Sequence, residues 1–323
     1  PRPVLRGPRL KLILLGALAL AVSSCSLGVQ DGVLDSFDAQ GPIAADLAWL
    51  FWLVFWIAAA VFVLVQGGLA FTLFRFRDKK GDESEPKQTE GNPVLEVVWT
   101  VIPVVILAAI AVPTVERVFR YTECAPDSMN VDVIGHQWWF EYYYPDHDVW
   151  TANELVIPAG QEICLTMTSE DVLHNFWAPK LNGKRYLIPG EDTTLLLETY
   201  DLDEGAVSEE FWVHCAEFCG LSHARMRARV IAVSDDGFDQ WIAEQKEPAV
   251  AASGGSEAEG LQLFGDKGCN ACHLIRGVND DSGGNEVLIG PELTHFASRN
   301  AFAGATLELD NEGDLAKWLA DPP

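Results

Sequence analysis

Positive charge is scarce in this sequence of 323 residues. Twenty-two lysines and arginines stand against 47 aspartates and glutamates, so the formal net charge at pH 7 is −25. Nucleic-acid binding needs a basic face that neutralises phosphates, and a general nucleic-acid role is therefore excluded. An acidic surface suits a basic protein partner, although it also serves solubility or a salty habitat. The length allows two compact domains in addition to membrane spans.

The first 25 residues resemble a bacterial lipoprotein signal. Basic residues come first, at Arg2, Arg6, Arg9 and Lys11. An apolar run over 12–22 follows, and the residues before Cys25 are similar to a lipobox. A run this short is typical of a signal rather than of a membrane span. We expect an acylated Cys25 on the outer face of a bacterial membrane, with a plain cleaved signal as the alternative.

Charge of either sign is missing from two longer apolar runs, 47–74 and 97–115. Each is long enough to cross a hydrocarbon core of about 30 Å. The sequence therefore predicts a transmembrane hairpin within 26–120, with spans at about 47–74 and 94–118.

The distribution of lysine and arginine predicts the orientation of this hairpin. None lies between Cys25 and Leu47, whereas the loop between the spans carries Arg75, Arg77, Lys79, Lys80 and Lys87. Because such residues stay on the cytoplasmic side, everything after Arg120 is expected outside.

Residues 121–245 change to short alternating segments separated by proline and glycine. This pattern is typical of an all-β sandwich or barrel. One loop of this region concentrates metal-binding chemistry, with Cys215, Cys219, His223 and Met226, while His174 stands upstream. Thiolate, thioether and imidazole ligands together select copper. A disulfide or a zinc site is the alternative, but zinc rarely takes methionine.

The copper loop resembles the binuclear CuA loop of cytochrome c oxidase subunit II, whose outer domain is cupredoxin-like. The resemblance implies that Cys215 and Cys219 bridge two copper ions and that His174 and His223 each bind one. It further implies Met226 and the Glu217 carbonyl as weak axial ligands. The Glu217 carboxylate would face a magnesium ion shared with subunit I.

Two further segments are similar to the same family. Gly135–Phe140 resembles its aromatic stretch, in which Trp138 would be the point where electrons arrive. Leu95–Thr100 resembles the start of the family's second helix, in which Glu96 would mark the mouth of a proton path. Without the resemblance, a packed tryptophan and an interfacial anchor are the simpler interpretations. Tyr186 stands where the family is expected to have an aspartate and Glu191 where it often has a basic residue, so the docking surface for an electron donor departs from the family pattern. His214, directly before Cys215, is also unusual for the family.

Residues 246–258 are small and polar, which is typical of a flexible linker. Beyond them, Cys269, Cys272 and His273 form the Cys-x-x-Cys-His attachment signature of c-type haem, with the histidine as proximal iron ligand. Together with Gly290-Pro291, the signature makes 259–323 resemble a small all-α class I cytochrome c. A thioredoxin-like pair would lack the histidine.

The distal iron ligand is not obvious, because no methionine follows Met226. We expect a methionine beyond Pro323 in a longer natural chain, with His295 as the alternative. Cys124 and Cys164 remain over, and both are expected outside, where disulfides persist. A bridge between them is predicted.

The resemblance implies a subunit of a respiratory, proton-pumping cytochrome c oxidase. Electrons from cytochrome c or a cytochrome bc complex would reach the fused haem, then the copper centre, then haem in subunit I, where oxygen is reduced. Subunit I and other oxidase subunits are the expected partners. A membrane-tethered copper chaperone, a quinol oxidase subunit II without copper and nitrous oxide reductase are the competing interpretations.

Overall fold

The computed structural model describes residues 32–77, 88, 90–279, 289–309 and 313–321. The predicted signal with Cys25 lies outside the described residues, as do Lys79, Lys80 and Lys87 of the loop between the spans.

Two long helices form the N-terminal part, α1 (Pro42–Arg75) and α2 (Pro93–Arg120). Both begin with proline, whose missing N–H breaks no helical hydrogen bond at that position. Asn92 caps α2 by accepting hydrogen bonds from the amides of Val94 and Leu95. Both helices are apolar enough to cross a membrane, and their most apolar stretches are not buried inside the chain. The predicted pair of spans is confirmed, with α1 beginning at Pro42 rather than near Leu47.

A polar cluster joins the two helices at the end that leads into the outer domain. The Tyr121 hydroxyl donates a 2.5 Å hydrogen bond to Asp46, and Arg117 pairs with the same carboxylate at 3.3 Å. The Arg117 guanidinium also lies 4.4 Å from the centre of the Trp49 ring. These contacts fix the helices to each other close to the outer domain.

The outer domain is a β-sandwich of two five-stranded sheets. One has the order β3-β2-β1-β5-β8 and the other β4-β10-β9-β6-β7. The strands are β1 (Met129–His136), β2 (Trp139–Tyr144), β3 (Val149–Ala152), β4 (Glu154–Pro158), β5 (Ile163–Ser169), β6 (His174–Trp177), β7 (Lys184–Leu187), β8 (Thr193–Leu197), β9 (Ser208–Cys215) and β10 (Arg227–Val233). The predicted cupredoxin-like sandwich is confirmed.

Side chains that alternate inward from both sheets form the core. Phe140, Tyr142, Tyr144 and Phe176 are among its largest fully buried members. The buried Tyr144 hydroxyl donates a hydrogen bond to the Val156 carbonyl at 2.9 Å, so its polar group is not left unpaired in the core. Helix α3 (Asp235–Lys246) then packs against the sandwich and ends the domain.

A disulfide joins Cys124, just after α2, to Cys164 in β5. It packs beside Ile43 at the start of α1 and Leu196 in β8. The predicted bridge is therefore confirmed, and it ties the sandwich to the end of the helical hairpin.

The C-terminal part contains helices α4 (Ser256–Asp266) and α5 (Asp314–Ala320) and a two-stranded hairpin, β11 (Ala301–Phe302) with β12 (Leu307–Glu308). The structure does not show the predicted all-α domain, since the described helices are short and a hairpin that was not predicted accompanies them. Its turn uses left-handed backbone at Ala303, Gly304 and Ala305. Alanine rarely adopts that conformation, so no local pattern indicates the turn.

The predicted flexible linker is held at two points. The amide of Ala249 donates to the Arg276 carbonyl at 3.0 Å, and His295 Nε2 lies 3.0 Å from the Glu247 carbonyl oxygen. Helix α4 begins at Ser256, inside the range predicted to be linker.

Candidate metal centre and adjoining cavity

Strand pairing brings the distant ligands together. His174 begins β6 and Cys215 ends β9, and the two strands run antiparallel with Phe176 opposite Cys215. The Cys215 amide then donates to the Met226 carbonyl at 3.0 Å, which closes the loop between β9 and β10. The remaining predicted ligands lie in this closed loop, so they meet His174 only because the two strands pair.

The loop places the donor atoms in one cluster. Cys215 Sγ lies 3.9 Å from His174 Nδ1 and 3.8 Å from Cys219 Sγ. Cys219 Sγ in turn lies 3.6 Å from His223 Nδ1 and 3.7 Å from Met226 Sδ. The two sulfurs are therefore central, with one imidazole beside each, and the thioether lies next to the second sulfur.

Four side chains of the cluster are buried, those of His174, Cys215, Cys219 and Met226. Burial and the neighbouring Cys215 raise the pKa of Cys219 to about 12. Burial also lowers the pKa of His174 below its ordinary value, against the opposing effect of Asp171. The His174 imidazole is therefore neutral and the Cys219 thiol protonated at neutral pH without metal, and a bound metal ion would displace the proton of that thiol.

Asp171 is a neighbour of the predicted ligands that the sequence did not indicate. Its carboxylate lies 2.8 Å from His174 Nε2, which leaves Nδ1 turned towards Cys215. The same carboxylate accepts hydrogen bonds from the amides of Val172 and Gln137 at 2.6 Å. Burial raises the pKa of Asp171, but these hydrogen bonds lower it below its ordinary value overall. A carboxylate that orients a metal-binding histidine is a common supporting partner, and only the fold reveals it here.

Trp138 lies directly against the metal loop, which is the closed loop of residues 215–226 between β9 and β10. Its indole Nε1 donates a 3.1 Å hydrogen bond to the Cys219 carbonyl, and Gln137 Nε2 donates to the same oxygen at 2.7 Å. The next ring, Trp139, stacks on His136, which forms a buried 3.0 Å pair with Glu141. Of the two adjacent tryptophans, Trp138 is thus the one bonded to the loop.

Glu217 presents two groups to different surroundings. Its backbone carbonyl lies 3.2 Å from Cys215 Sγ, in the cluster, as expected for an axial ligand. Its carboxylate accepts a hydrogen bond from Tyr186, and this bond raises the pKa of the exposed Tyr186 hydroxyl above its ordinary value. Among the described residues, the only cluster of three potential metal ligands is His174, Cys215 and Cys219. A magnesium ion at Glu217 stays a prediction.

Glu96 lies in the first turn of α2, at the end of the helix away from the sandwich. It is exposed in this chain, as is most of α2. Its role at the mouth of a proton path also stays a prediction.

A cavity of about 430 Å³ lies between the sandwich and the C-terminal part. Phe264, Cys269, His273 and residues of α5 line it from the C-terminal side. Trp138, Trp139 and the metal loop line it from the other side. Its walls are largely apolar, and a cavity of this size is in the range of cofactor sites.

The His273 ring is held through one of its two nitrogens, which leaves the other available. Its Nδ1 lies 2.7 Å from the Pro291 carbonyl oxygen, so Nε2 remains available. At Gly290, a Cβ atom would lie 2.6 Å from the His273 ring, so only glycine allows this close approach. His295 Nε2, by contrast, is engaged by the Glu247 carbonyl, and His295 is not among the residues that line the cavity. The alternative distal ligand therefore receives no support from the geometry.

Comparison with known proteins agrees with these features. The family description "Cytochrome C oxidase subunit II, transmembrane domain" matches residues 31–116, and "Cytochrome C oxidase subunit II, periplasmic domain" matches residues 148–233. The chain is 34% identical to cytochrome c oxidase subunit 2 of Alkalihalophilus pseudofirmus, over 95% of this chain and 86% of the relative.

Two more similarities concern related proteins. Quinol oxidase subunit 2 of Bacillus cereus is 31% identical, over 69% of this chain and 77% of the relative. The crystal structure of the periplasmic domain of cytochrome oxidase subunit II from Bradyrhizobium japonicum is 26% identical, with a TM-score of 0.35, over 39% of this chain and 96% of that one. From the two apolar helices, the matched outer domain and the near full-length relative, the chain belongs to the cytochrome c oxidase subunit II family, whose members are components of haem–copper terminal oxidases, which are oxidoreductases.

Proposed function

We propose that this chain is the electron-receiving subunit of a proton-pumping cytochrome c oxidase and holds two redox groups, a binuclear copper centre and a c-type haem. The observation that supports it best is the metal cluster itself, with two sulfurs 3.8 Å apart and one imidazole nitrogen beside each.

The residues of the cluster fit a copper pair. Cys215 and Cys219 would bridge the ions, His174 and His223 would each bind one, and Met226 and the Glu217 carbonyl would complete the set. Soft sulfur donors with imidazole select copper over magnesium, calcium or manganese. When bound, the copper pair supplies reversible one-electron chemistry. The chain's own part is to hold the donors buried, to orient His174 through Asp171 and to place Trp138 against the loop.

The residues around the cavity fit a haem. Cys269 and Cys272 would attach it through thioether bonds and His273 Nε2 would bind the iron. Apolar side chains from both sides of the cavity would exclude water from it.

The remaining roles complete the proposal. Trp138 would carry electrons to the copper loop, the Glu217 carboxylate would bind a magnesium ion shared with subunit I, and Glu96 would stand at the mouth of a proton path. The helices would place the chain in a bacterial membrane, anchored further by a lipid on Cys25, with the sandwich and the C-terminal part outside. Cytochrome c or a cytochrome bc complex would be the donor, and subunit I and further oxidase subunits the partners.

Because a quinol oxidase subunit 2 is also similar to this chain, the copper ligands are the feature that distinguishes a cytochrome c oxidase subunit II from a quinol oxidase subunit II. A quinol oxidase subunit II would keep the fold without the ligands, whereas all six donor residues are present here and meet in one cluster. A copper chaperone would need neither a tryptophan bonded to the loop nor a haem signature.

The test is metal analysis with electron paramagnetic resonance on the outer part, expressed from Tyr121 onwards in a host that attaches haem c. We expect two coppers and one haem per chain, with one unpaired electron shared equally by two copper nuclei. One copper with a localised signal would overturn the binuclear centre. A copper signal that moves to an added acceptor protein would favour the chaperone.

A further inference from the structure

Residues of the sandwich and of the C-terminal part together form the cavity. Cys269 and His273 face it from the C-terminal side, while Ser222 and Arg225 face it from the metal loop. Arg225 stands between His223 and Met226, so the loop that binds one redox group also forms a wall of the cavity proposed for the other.

The charge inside the cavity runs against that of the protein. The chain has a net charge of −25, yet among the residues that the structure describes the only charged ones lining this cavity are Arg225 and Arg299, and no described carboxylate lines it. Two cations on largely apolar walls suit a ligand that is apolar over most of its surface and carries anionic groups. A haem, with its apolar macrocycle and two propionates, has that chemistry.

The two cations differ in their surroundings. Arg299 lies within the C-terminal part and donates through Nη2 to the Glu292 carbonyl. The Arg225 guanidinium is exposed, and no side-chain partner is found for it among the described residues, although its backbone is fixed by the 2.9 Å hydrogen bond to Ser222. Arg225 is therefore free to pair with an anion in the cavity.

Several contacts hold the C-terminal part against the sandwich at this point. Arg229 in β10 bridges Glu210 of β9 and Glu308 of β12, at 2.9 Å each. The buried carboxylate of Glu154 accepts hydrogen bonds from the amides of Asn300 and Ala301, at 2.8 and 3.1 Å. At Gly304 the backbones approach so closely that a Cβ atom would lie 2.2 Å from the Arg225 carbonyl oxygen. These contacts fix Arg225 at the edge of the cavity.

We propose that Arg225, which belongs to the metal loop, forms an ion pair with a haem propionate. The sandwich would thereby complete the haem site of the C-terminal part. The inference rests on the proposed function, since it requires a haem in the cavity. It makes Arg225 a positioning residue: its charge holds the haem edge against the loop that carries His223 and Met226.

The test measures the haem midpoint potential by spectroelectrochemical titration of the full chain in detergent. A cation beside a propionate favours the reduced haem, which carries one positive charge less. Arg225→Gln is therefore expected to shift the haem's one-electron equilibrium towards the oxidised form by about threefold. Arg225→Glu should shift this equilibrium further towards the oxidised form. Arg225→Lys keeps the positive charge and should leave the equilibrium close to that of the wild type.

Arg227→Gln is the matched control. It removes the same charge two residues away, where the guanidinium lies over the Trp212 ring, and Arg227 does not line the cavity. The control is expected to leave the haem potential and the Soret circular dichroism unchanged, whereas Arg225→Gln should change both. Equal shifts in both variants, or no shift in Arg225→Gln, would overturn the inference.

Failure of the inference and failure of the proposed function give different results. A wild-type chain with no covalent haem in a pyridine haemochrome assay would remove the haem function and the inference with it. If the wild-type chain carries haem and a binuclear copper signal, but Arg225→Gln has the same haem midpoint potential as the wild type, only the inference is overturned.

Discussion

The indole nitrogen of Trp138 donates a hydrogen bond to the carbonyl oxygen of Cys219, at 3.1 Å. Trp138 also lines the cavity that contains Cys269 and His273. One side chain thus touches both the metal loop and the proposed haem site, which is the placement that a short electron path requires.

Trp138→Phe keeps an aromatic ring but removes the N–H donor and shortens the side chain. We expect electron transfer from haem to copper to slow by about tenfold or more, equivalent to ~1.4 kcal/mol in activation free energy. Flash-induced reduction of the haem, followed at the copper absorption, would measure the rate. Trp139→Phe is the control, since Trp139 lines the cavity but stacks on His136 instead of bonding the loop. Equal rates in the two variants would remove the special role of Trp138.

Asp171→Asn removes the carboxylate that lies 2.8 Å from His174 Nε2. Partners of this kind are worth about 10–100-fold in metal affinity, so we expect copper affinity to fall within that range. Competition with a copper chelator would give the affinity. Glu170→Gln changes the exposed neighbouring carboxylate and is expected to leave affinity unaltered. An unchanged affinity in Asp171→Asn would mean that strand pairing alone orients His174.

Gly304→Ala places a Cβ atom against the Arg225 carbonyl at a left-handed backbone position, φ 64°. We expect the hairpin to be pushed off the metal loop, which would expose the segment before α4 to protease. Gly313→Ala is the matched control, because Gly313 is also left-handed, at φ 93°, but has open space around its Cβ direction. Cleavage that rises only in Gly304→Ala supports the docked arrangement, whereas equal cleavage would trace the effect to backbone strain.

His214 makes the stability of the sandwich depend on pH. Burial, with a contribution from Arg227, lowers the pKa of His214 to about 4 from an ordinary value of 6.5. The unfolded chain takes up this proton first, so the stabilisation is complete above pH 6.5 and is lost as pH falls towards 4. In His214→Gln, the free energy of unfolding should therefore fall less on acidification than in the wild type. We expect the difference to be about 1–2 kcal/mol, after allowance for partial exposure.

Urea unfolding of the copper-free outer part at pH 7 and pH 5 would measure this effect. His147→Gln, at the end of the sandwich beside Phe238, controls for the loss of a histidine elsewhere in the same domain. A pH dependence that survives in His214→Gln would assign it to other groups.

Removal of the Cys124–Cys164 disulfide releases a loop with a sequence separation of 40 residues. Chain-entropy estimates for such a loop give about 4 kcal/mol, within the usual range for a disulfide. Cys124→Ser with Cys164→Ser should therefore lower the free energy of unfolding by roughly this amount. The copper signal should persist under folding conditions, because both cysteines lie outside the metal cluster. A double variant as stable as the wild type would show that packing around Ile43 and Leu196 suffices.

Much of this protein could be predicted from local patterns. Uncharged runs of sufficient length predict α1 and α2 because the bilayer core accepts few charges. Alternating short segments predict the sandwich, since one face of each strand is buried. The metal loop and the Cys269–His273 signature are short enough that spacing alone predicts their chemistry.

Tertiary structure decided the rest, because it depends on contacts between residues far apart in sequence. The pairing of β6 with β9 brings His174 to Cys215, and Asp171 matters for the metal centre only because it bonds this predicted ligand. The hairpin at Gly304 and the cavity between the two outer parts have no local signature, since backbone contact with the metal loop creates them. The sequence by itself predicted which groups this protein binds, and the packing of the C-terminal part on the sandwich determined that the metal loop forms a wall of the proposed haem cavity.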